Sequence, residues 1–334
     1  MKKLLLMVPA LVMAFALAGC GGGDEPAGEQ KPEQQEAKPV QLGIIQIVEH
    51  PALDAARQGF LDVMAENGYK NGENLAVDFQ SAQGDKSILQ SIAGKFVNDQ
   101  KDMVLAIATD SAISMANETT EIPILITAVT DPVTAKLVES LDKPGTNVTG
   151  TTDMNPVAKQ LELIKDFVPD AKNVGIIYNS SEVNSQVQVE IAREAASDLE
   201  LTLHEATAIA SGEVMQAAQS LVGKVDAIYL PTDNTVISSL PAVLQVAEEN
   251  KIPIIAGEGN SVEEGALATL GIDYEKLGRQ TAEIALRVLE GEKPADTPVE
   301  GQKDANLIIN LQAAERFGVT VSDELKAKAT QVIE

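Results

Sequence analysis

Apolar residues in this chain fall in short unbroken blocks, and the pattern is stated twice. From Lys101 the sequence reads K-D-M-V-L-A-I-A-T-D-S, then a helical interval, then I-P-I-L-I-T-A-V-T-D; from Lys224 it reads K-V-D-A-I-Y-L-P-T-D-N, another interval, then I-P-I-I-A-G-E-G-N. Each block has strand length, and none alternates as a strand with one wet face would. Blocks of this kind suit a parallel sheet covered on both faces. The echo begins upstream, where Gly43-Ile44-Ile45 opens the first copy and Gly175-Ile176-Ile177 the second. The chain is therefore expected to build two α/β lobes of one design.

In the first lobe the spacing predicts strands over 40–48, 74–80, 102–108 and 122–128. Helices are expected over 51–67, with Gly68 as the stop, over 85–98, with Ile88, Ile92 and Phe96 on one face, and from Ser111. Asp131-Pro132 reads as a further helix start, an acceptor followed by a ring preset for the first turn. The small residues of Gly145-Thr146-Asn147-Val148-Thr149-Gly150 suggest a hinge between lobes. The second lobe is expected to carry helices over 155–167, 185–198, 212–222 and 238–249, and a late helix over 274–289 follows them. The second lobe's strands fall over 173–178, 201–206, 225–230, 252–256, 266–272 and 306–310. The lobes are thus 40–150 with about 273–302, and 151–272 with about 303–334, the late return to the first lobe resting on analogy with two-lobed proteins.

The first 39 residues stand outside this pattern. Lys2 and Lys3, the apolar stretch from Leu4 to Leu17 and the ending Leu17-Ala18-Gly19-Cys20 make an export signal over 1–19, too short for a membrane span. Residues 21–39 hold Gly, Pro, Glu, Gln and Lys with no large apolar side chain before Val40, a composition for a flexible tether. Cys20 is the only cysteine, so no internal disulfide can form. The formal charge of −25 falls to −27 once the two lysines of 1–19 are gone. So acidic a body excludes nucleic acid and anionic lipid as partners held by charge. No histidine pair or cysteine set has metal-ligand spacing, and no nucleophile elbow, P-loop or dinucleotide fingerprint occurs, so neither an enzyme nor a cofactor is expected.

In open parallel sheets, ligands bind beyond the carboxyl ends of the strands. Those ends hold Val48-Glu49-His50, Thr109-Asp110-Ser111 with Ala112 after it, Thr130-Asp131, Tyr178-Asn179, Thr232-Asp233-Asn234 and Gly257-Glu258, with Asn184-Ser185 and Asp273 beside them. A helix start at Thr109, Ser111 and Ala112 offers N–H and hydroxyl donors to an anion, with Thr130 as a second source. Glu258, flanked by Gly257 and Gly259, offers an acceptor to a cation, with Asp233, Glu49 and Asp273 as rivals. His50 and Asn234 are polar rim candidates, and Tyr178 could stack on an aromatic group. Each also has a plain structural reading, as a helix cap, a packed tyrosine or a surface carboxylate.

The ordered set Glu49-His50-Pro51-Ala52-Leu53-Asp54, Ala128-Val129-Thr130-Asp131-Pro132, Asn147-Val148-Thr149-Gly150, Lys159-Gln160-Leu161-Glu162-Leu163-Ile164, Pro231-Thr232-Asp233-Asn234-Thr235 and Leu277-Gly278-Arg279-Gln280-Thr281-Ala282 spans nearly the whole chain beyond residue 40. It resembles the substrate-binding lipoproteins of ABC importers with the type I periplasmic-binding-protein fold, and most of all the tryptophan/tyrosine-type branch. The ending at Cys20 likewise resembles a lipobox, with lipid on Cys20 as the mature N-terminus. The resemblance implies capture of an amino acid, an aromatic one first, at an inter-lobe cleft and delivery to an ABC permease and its ATPase. It also implies a lipid anchor at the outer face of the cell membrane or in the periplasm. A branched-chain amino acid, a sugar, or a role as ligand-sensing partner of a membrane receptor stand as alternatives. The absence of Trp and the 3% aromatic content weigh against a sugar.

Overall fold

The structure, a computed structural model, describes residues 38–334, so the expected signal, Cys20 and most of the tether lie outside the described residues. The apolar blocks form two sheets. The first holds β1 (Val40–Gln46), β2 (Leu75–Ser81), β3 (Met103–Ile107), β4 (Ile124–Val129), β5 (Val148–Thr152) and β11 (Glu300–Gly301) in the order β11-β5-β4-β3-β1-β2, every pairing parallel. The second holds β6 (Asn173–Tyr178), β7 (Thr202–Thr207), β8 (Ala227–Leu230), β9 (Ile254–Ala256), β10 (Ala268–Gly271), β12 (Asn306–Asn310) and β13 (Gln331–Ile333) in the order β13-β12-β10-β9-β8-β6-β7. There only β10 and β12 run antiparallel. Every residue of β3, β4, β8 and β9 is buried, as unbroken apolar blocks require.

Each sheet is the centre of its own apolar core. Around the first pack α1 (Pro51–Glu66), α2 (Lys86–Asn98) and α3 (Thr109–Glu118); around the second, α4 (Val157–Phe167), α5 (Val183–Asp198), α6 (Val214–Leu221), α7 (Asn234–Ile237), α8 (Leu240–Asn250), α9 (Gly259–Glu264), α11 (Leu311–Phe317) and α12 (Asp323–Lys328). The exception to chain order is α10 (Tyr274–Leu289), whose Leu277, Ala282, Ile284, Ala285 and Val288 join the first core. It crosses α1 at two glycines. A Cβ on Gly278 would lie 1.8 Å from the Ala56 carbonyl oxygen, and one on Gly59 2.2 Å from that of Glu275.

The chain therefore passes between lobes three times, over residues 153–156, 272–273 and 302–305. These segments are tied together. The Ile272 amide donates to Asn155 Oδ1 at 3.2 Å, the Asp273 amide donates to Gln302 Oε1 at 3.1 Å, and Gln302 Nε2 donates back to the Asp273 carbonyl.

Several expectations from the sequence are corrected. The stretch 145–150 is no hinge: β5 begins inside it and pairs with β4, and the first crossing follows β5. Gly150 (φ 139°) serves the close approach of those strands, since a Cβ there would meet the Ile126 carbonyl oxygen at 2.2 Å. Asp131 does cap, its Oδ1 accepting from the Val133 and Thr134 amides at 3.0 Å, but Lys136 turns left-handed (φ 58°) and only a turn forms. On α2 the buried face carries Leu89, while Ile88 is 41% exposed. The small elements α7, α9, α11, α12 and β13, and the antiparallel β10–β12 pair, have too few periodic residues to be read beforehand.

Candidate ligand cleft

The carboxyl ends of the two sheets face each other across the crossings and enclose a cavity. Its lining is His50, Ala52, Leu53, Ala128 and Thr130 from the first lobe, Asp153 from the first crossing, Asn184, Thr232, Asp233, Asn234, Ile237 and Glu258 from the second lobe, and Tyr274 at the head of α10. The free volume is about 20 Å³, room for roughly one water molecule. Ala128, within β4, lines its first-lobe side with φ of 56°, and the β4–β5 register shifts between Ile126 and Val129; Ala108, just after β3, has φ of 75°. Left-handed alanines are strained, and such bulges re-aim the chain near sites.

Six candidates from the sequence come together here: His50, Thr130, Asn184, Asp233, Asn234 and Glu258. Asp233 and Glu258 combine both roles considered for them. Glu258 caps α9, with Oε2 accepting from the Asn260 amide and Oε1 from the amide and hydroxyl of Ser261. Asp233 caps α7 through the Val236 amide on Oδ1, while Oδ2 accepts from the Asn179 amide and the Ser185 hydroxyl. Ser185 thus stands behind the cavity as support. Gly257 also lies behind it, its carbonyl accepting from Gln160 Nε2 and its Cα hydrogen facing the Thr232 amide.

The remaining candidates lie off this cavity. Thr109, Ser111 and Ala112 are fully buried in the first turn of α3 and do not line it. Glu49 is exposed and accepts from Gln83 Nε2 at 3.0 Å. Tyr178 donates its hydroxyl to Glu205 at 2.7 Å, the packing role. Asp273 caps α10 and pairs with Lys276 at 3.2 Å.

Thr232, at one of the strand ends expected to line the cleft, does so, while sequence reasoning missed Asp153, Tyr274, Ile237, Ala52, Leu53 and Ala128. It also missed Glu182, which orders two lining residues without lining the cavity itself: Glu182 Oε2 accepts from Asn184 Nδ2 at 3.2 Å and Asn234 Nδ2 at 2.7 Å.

The electrostatics of the cavity are one-sided. Asp153, Asp233 and Glu258 are 3%, 1% and 2% exposed, and no Lys or Arg joins them in the lining. Burial pushes all three carboxyls up, Glu258 to about 7. For Asp233 the nearby Glu182 charge adds to the same direction. Burial holds His50 down to about 4, so at neutral pH it is an uncharged ring, with the Asn234 side chain of the other lobe beside it as the smaller, opposing influence. A cavity with three acids and no cationic side chain favours a cationic guest. Among the described residues no group of three or more His, Cys, Asp or Glu could hold a metal ion.

Residues 41–333 match the family model described as ABC transporter substrate binding protein. The chain belongs to that family. Its fold is the type I periplasmic-binding-protein fold, shared with solved structures at 14–16% identity and TM-scores of 0.57–0.61. A relative from Clostridioides difficile (strain R20291) named tyrosine-binding protein is 49% identical over 311 residues, 92% of this chain and 90% of that one. The structure of an ABC domain in complex with L-Trp from Streptococcus pneumonia is 38% identical, has a TM-score of 0.86, and covers 89% of this substrate-binding protein and 100% of that chain. The ligand-free, open structure of a substrate binding protein with adhesive properties from Clostridium difficile is 50% identical, covers 87% of this chain and 98% of that one, and has a TM-score of only 0.66.

Proposed function

We propose that this substrate-binding protein captures an L-amino acid with an aromatic side chain between its lobes and delivers it to an ABC permease. The observation that carries the reading is the buried cavity with three carboxylates and no cation of its own, suited to an ammonium group. The aromatic side chain is supported by the relative named for tyrosine and by the likeness to the L-Trp complex. Capture is by closure. Overall likeness is greater to the ligand-bound structure at 38% identity than to the open one at 50%, which supports a closed arrangement of the lobes here. The bound amino acid leaves unchanged, as no catalytic step is part of this reading.

A thermal-shift screen of the twenty amino acids, common sugars and dipeptides tests the ligand class. Ligand a thousandfold above Kd raises apparent stability by about 4 kcal/mol. Trp, Tyr and Phe are expected to give the largest shifts. A sugar or a dipeptide as sole hit contradicts the proposal.

The export signal over 1–19 and lipid on Cys20 complete the proposal and would place the cleft outside the membrane on a tether. Among the described residues no helix is long and apolar enough to cross a membrane. Acyl chains on Cys20 would supply the anchor, and a Cys20→Ala variant is expected to leave the membrane fraction. Its retention there would put the anchor elsewhere.

A further inference from the structure

We infer that Asp153 is the acceptor for the ligand's α-ammonium group, that Tyr274 holds it in position, and that the first-turn amides of α1 receive the carboxylate. The inference rests on the proposed amino-acid ligand and assigns the residues that read its charged end.

Asp153 is 3% exposed, lines the cavity and has one oxygen in use. Its Oδ2 accepts from the Tyr274 hydroxyl at 2.5 Å, whereas its Oδ1 is buried with no partner in hydrogen-bond geometry, the nearby Thr130 hydroxyl not completing a bond to it. An orphaned carboxylate oxygen is costly to bury, and native structures rarely leave one so without a use. The other two acids of the cavity differ on this point. Both oxygens of Glu258 already accept from the helix start it caps, and both of Asp233 are taken, Oδ1 by the Val236 amide of α7 and Oδ2 by the Asn179 amide and the Ser185 hydroxyl. With no Lys or Arg in the lining, no side chain of the cavity gives Asp153 a charged partner, and an ammonium group of the ligand would. A second acceptor is at hand, since Asn184 Oδ1 also lines the cavity without a partner, and an ammonium group carries three donors.

The same cavity offers donors for an anion. The 16-residue helix α1 begins at Pro51, which has no N–H, and His50 before it makes no side-chain cap. The next residues, Ala52 and Leu53, line the cavity, so the positive end of this helix opens onto it. A free helix start and an orphaned carboxylate in one small cavity match the two ends of an α-amino acid zwitterion. Asp153 lies on the first crossing and Tyr274 just after the second, so the charged end of the ligand sits where the lobes join.

Calorimetric titration with L-tyrosine, with 3-(4-hydroxyphenyl)propionate, which lacks the ammonium, and with tyramine, which lacks the carboxylate, tests the assignment. Wild-type protein is expected to bind both analogues far more weakly than L-tyrosine. Asp153→Asn is expected to lose about a hundredfold or more in affinity for L-tyrosine, as one member of a buried charge pair is removed, while its affinity for the propionate stays within about threefold. Glu258→Gln and Asp233→Asn should lose less. Tyr274→Phe should lose about tenfold, and its affinity should fall off at a higher pH than the wild type's, because Asp153 without that donor takes up a proton more readily. If Asp153→Asn does not fold, Asp153→Ser removes the same charge. Full L-tyrosine affinity in a folded Asp153 variant, or a loss found in Glu258→Gln alone, overturns the assignment and leaves the amino-acid reading standing. Wild-type protein that binds the propionate as tightly as L-tyrosine overturns both.

Discussion

Glu182→Ala is expected to lower the melting temperature by roughly 10 °C and to weaken ligand capture at least a hundredfold, although Glu182 does not line the cavity. This carboxylate is 3% exposed and accepts from six donors. Oε1 takes Asn179 Nδ2, the Thr235 amide and the Thr235 hydroxyl; Oε2 takes Asn184 Nδ2, the Asn234 amide and Asn234 Nδ2. The donors come from the end of β6, the start of α5 and the start of α7, three segments with no backbone ladder between them at this edge. Removing the acceptor leaves buried donors facing one another. Each costs about 1–3 kcal/mol if unmet. Water entering the vacated space recovers part of this, so a net loss on the order of 3–5 kcal/mol is expected. At roughly 2–4 °C per kcal/mol for a domain of this size, that is the predicted shift. The effect on binding follows because Asn184 and Asn234 line the cavity and lose the group that orients them. Glu182→Gln should act in the same direction with smaller size, since its amide nitrogen would point a donor at donors. Melting by circular dichroism and titration with L-tyrosine check both outcomes. An Ala variant with unchanged melting and affinity would show that the network is ornamental.

The residues that went unread in the sequence explain themselves physically. Unbroken apolar blocks ending in Thr-Asp were enough for two parallel sheets, because only a strand buried on both faces needs such a block. Asp153 was lost through the glycines. Gly145 to Gly150 looked like a hinge, yet Gly150 is there because a side chain would strike the neighbouring strand. Once 148–152 is recognised as a strand, Asp153 becomes one more acid at a strand's carboxyl end, the signal that did find Glu258 and Asp233. The two possible anion sites differ in another way. Two helix starts, at α1 and α3, had suitable residues, and only the packing shows that Ala52 and Leu53 line the cavity while Thr109, Ser111 and Ala112 do not. Glu182 sits in N-S-S-E-V-N, a stretch without periodicity, and its role exists only where three segments converge. Tyr274 carried no local mark beyond opening an amphipathic helix. Its partner is 121 positions away.

Closure of the lobes on an amino acid is subject to a hard condition. A cavity of about 20 Å³ admits no amino acid unless the lobes part. The contacts that would have to break lie on both sides of the gap. The His50 and Asn234 side chains adjoin across the gap, and Lys86, paired with Asp110 at 3.0 Å in its own lobe, donates to the Ser181 carbonyl of the other at 3.0 Å. These are few and polar, one of them largely solvent-exposed, so they hold the lobes together weakly without a ligand. A ligand gripped from both sides shifts the population toward closure by its differential contacts. Small-angle scattering of the protein, alone and with L-tyrosine at a thousandfold excess over its Kd, measures this directly. The radius of gyration is predicted to fall on adding L-tyrosine, to a value matching the arrangement described for residues 38–334, and to stay unchanged with glucose. Calorimetrically proven binding of L-tyrosine with no change in the radius of gyration would contradict capture by closure.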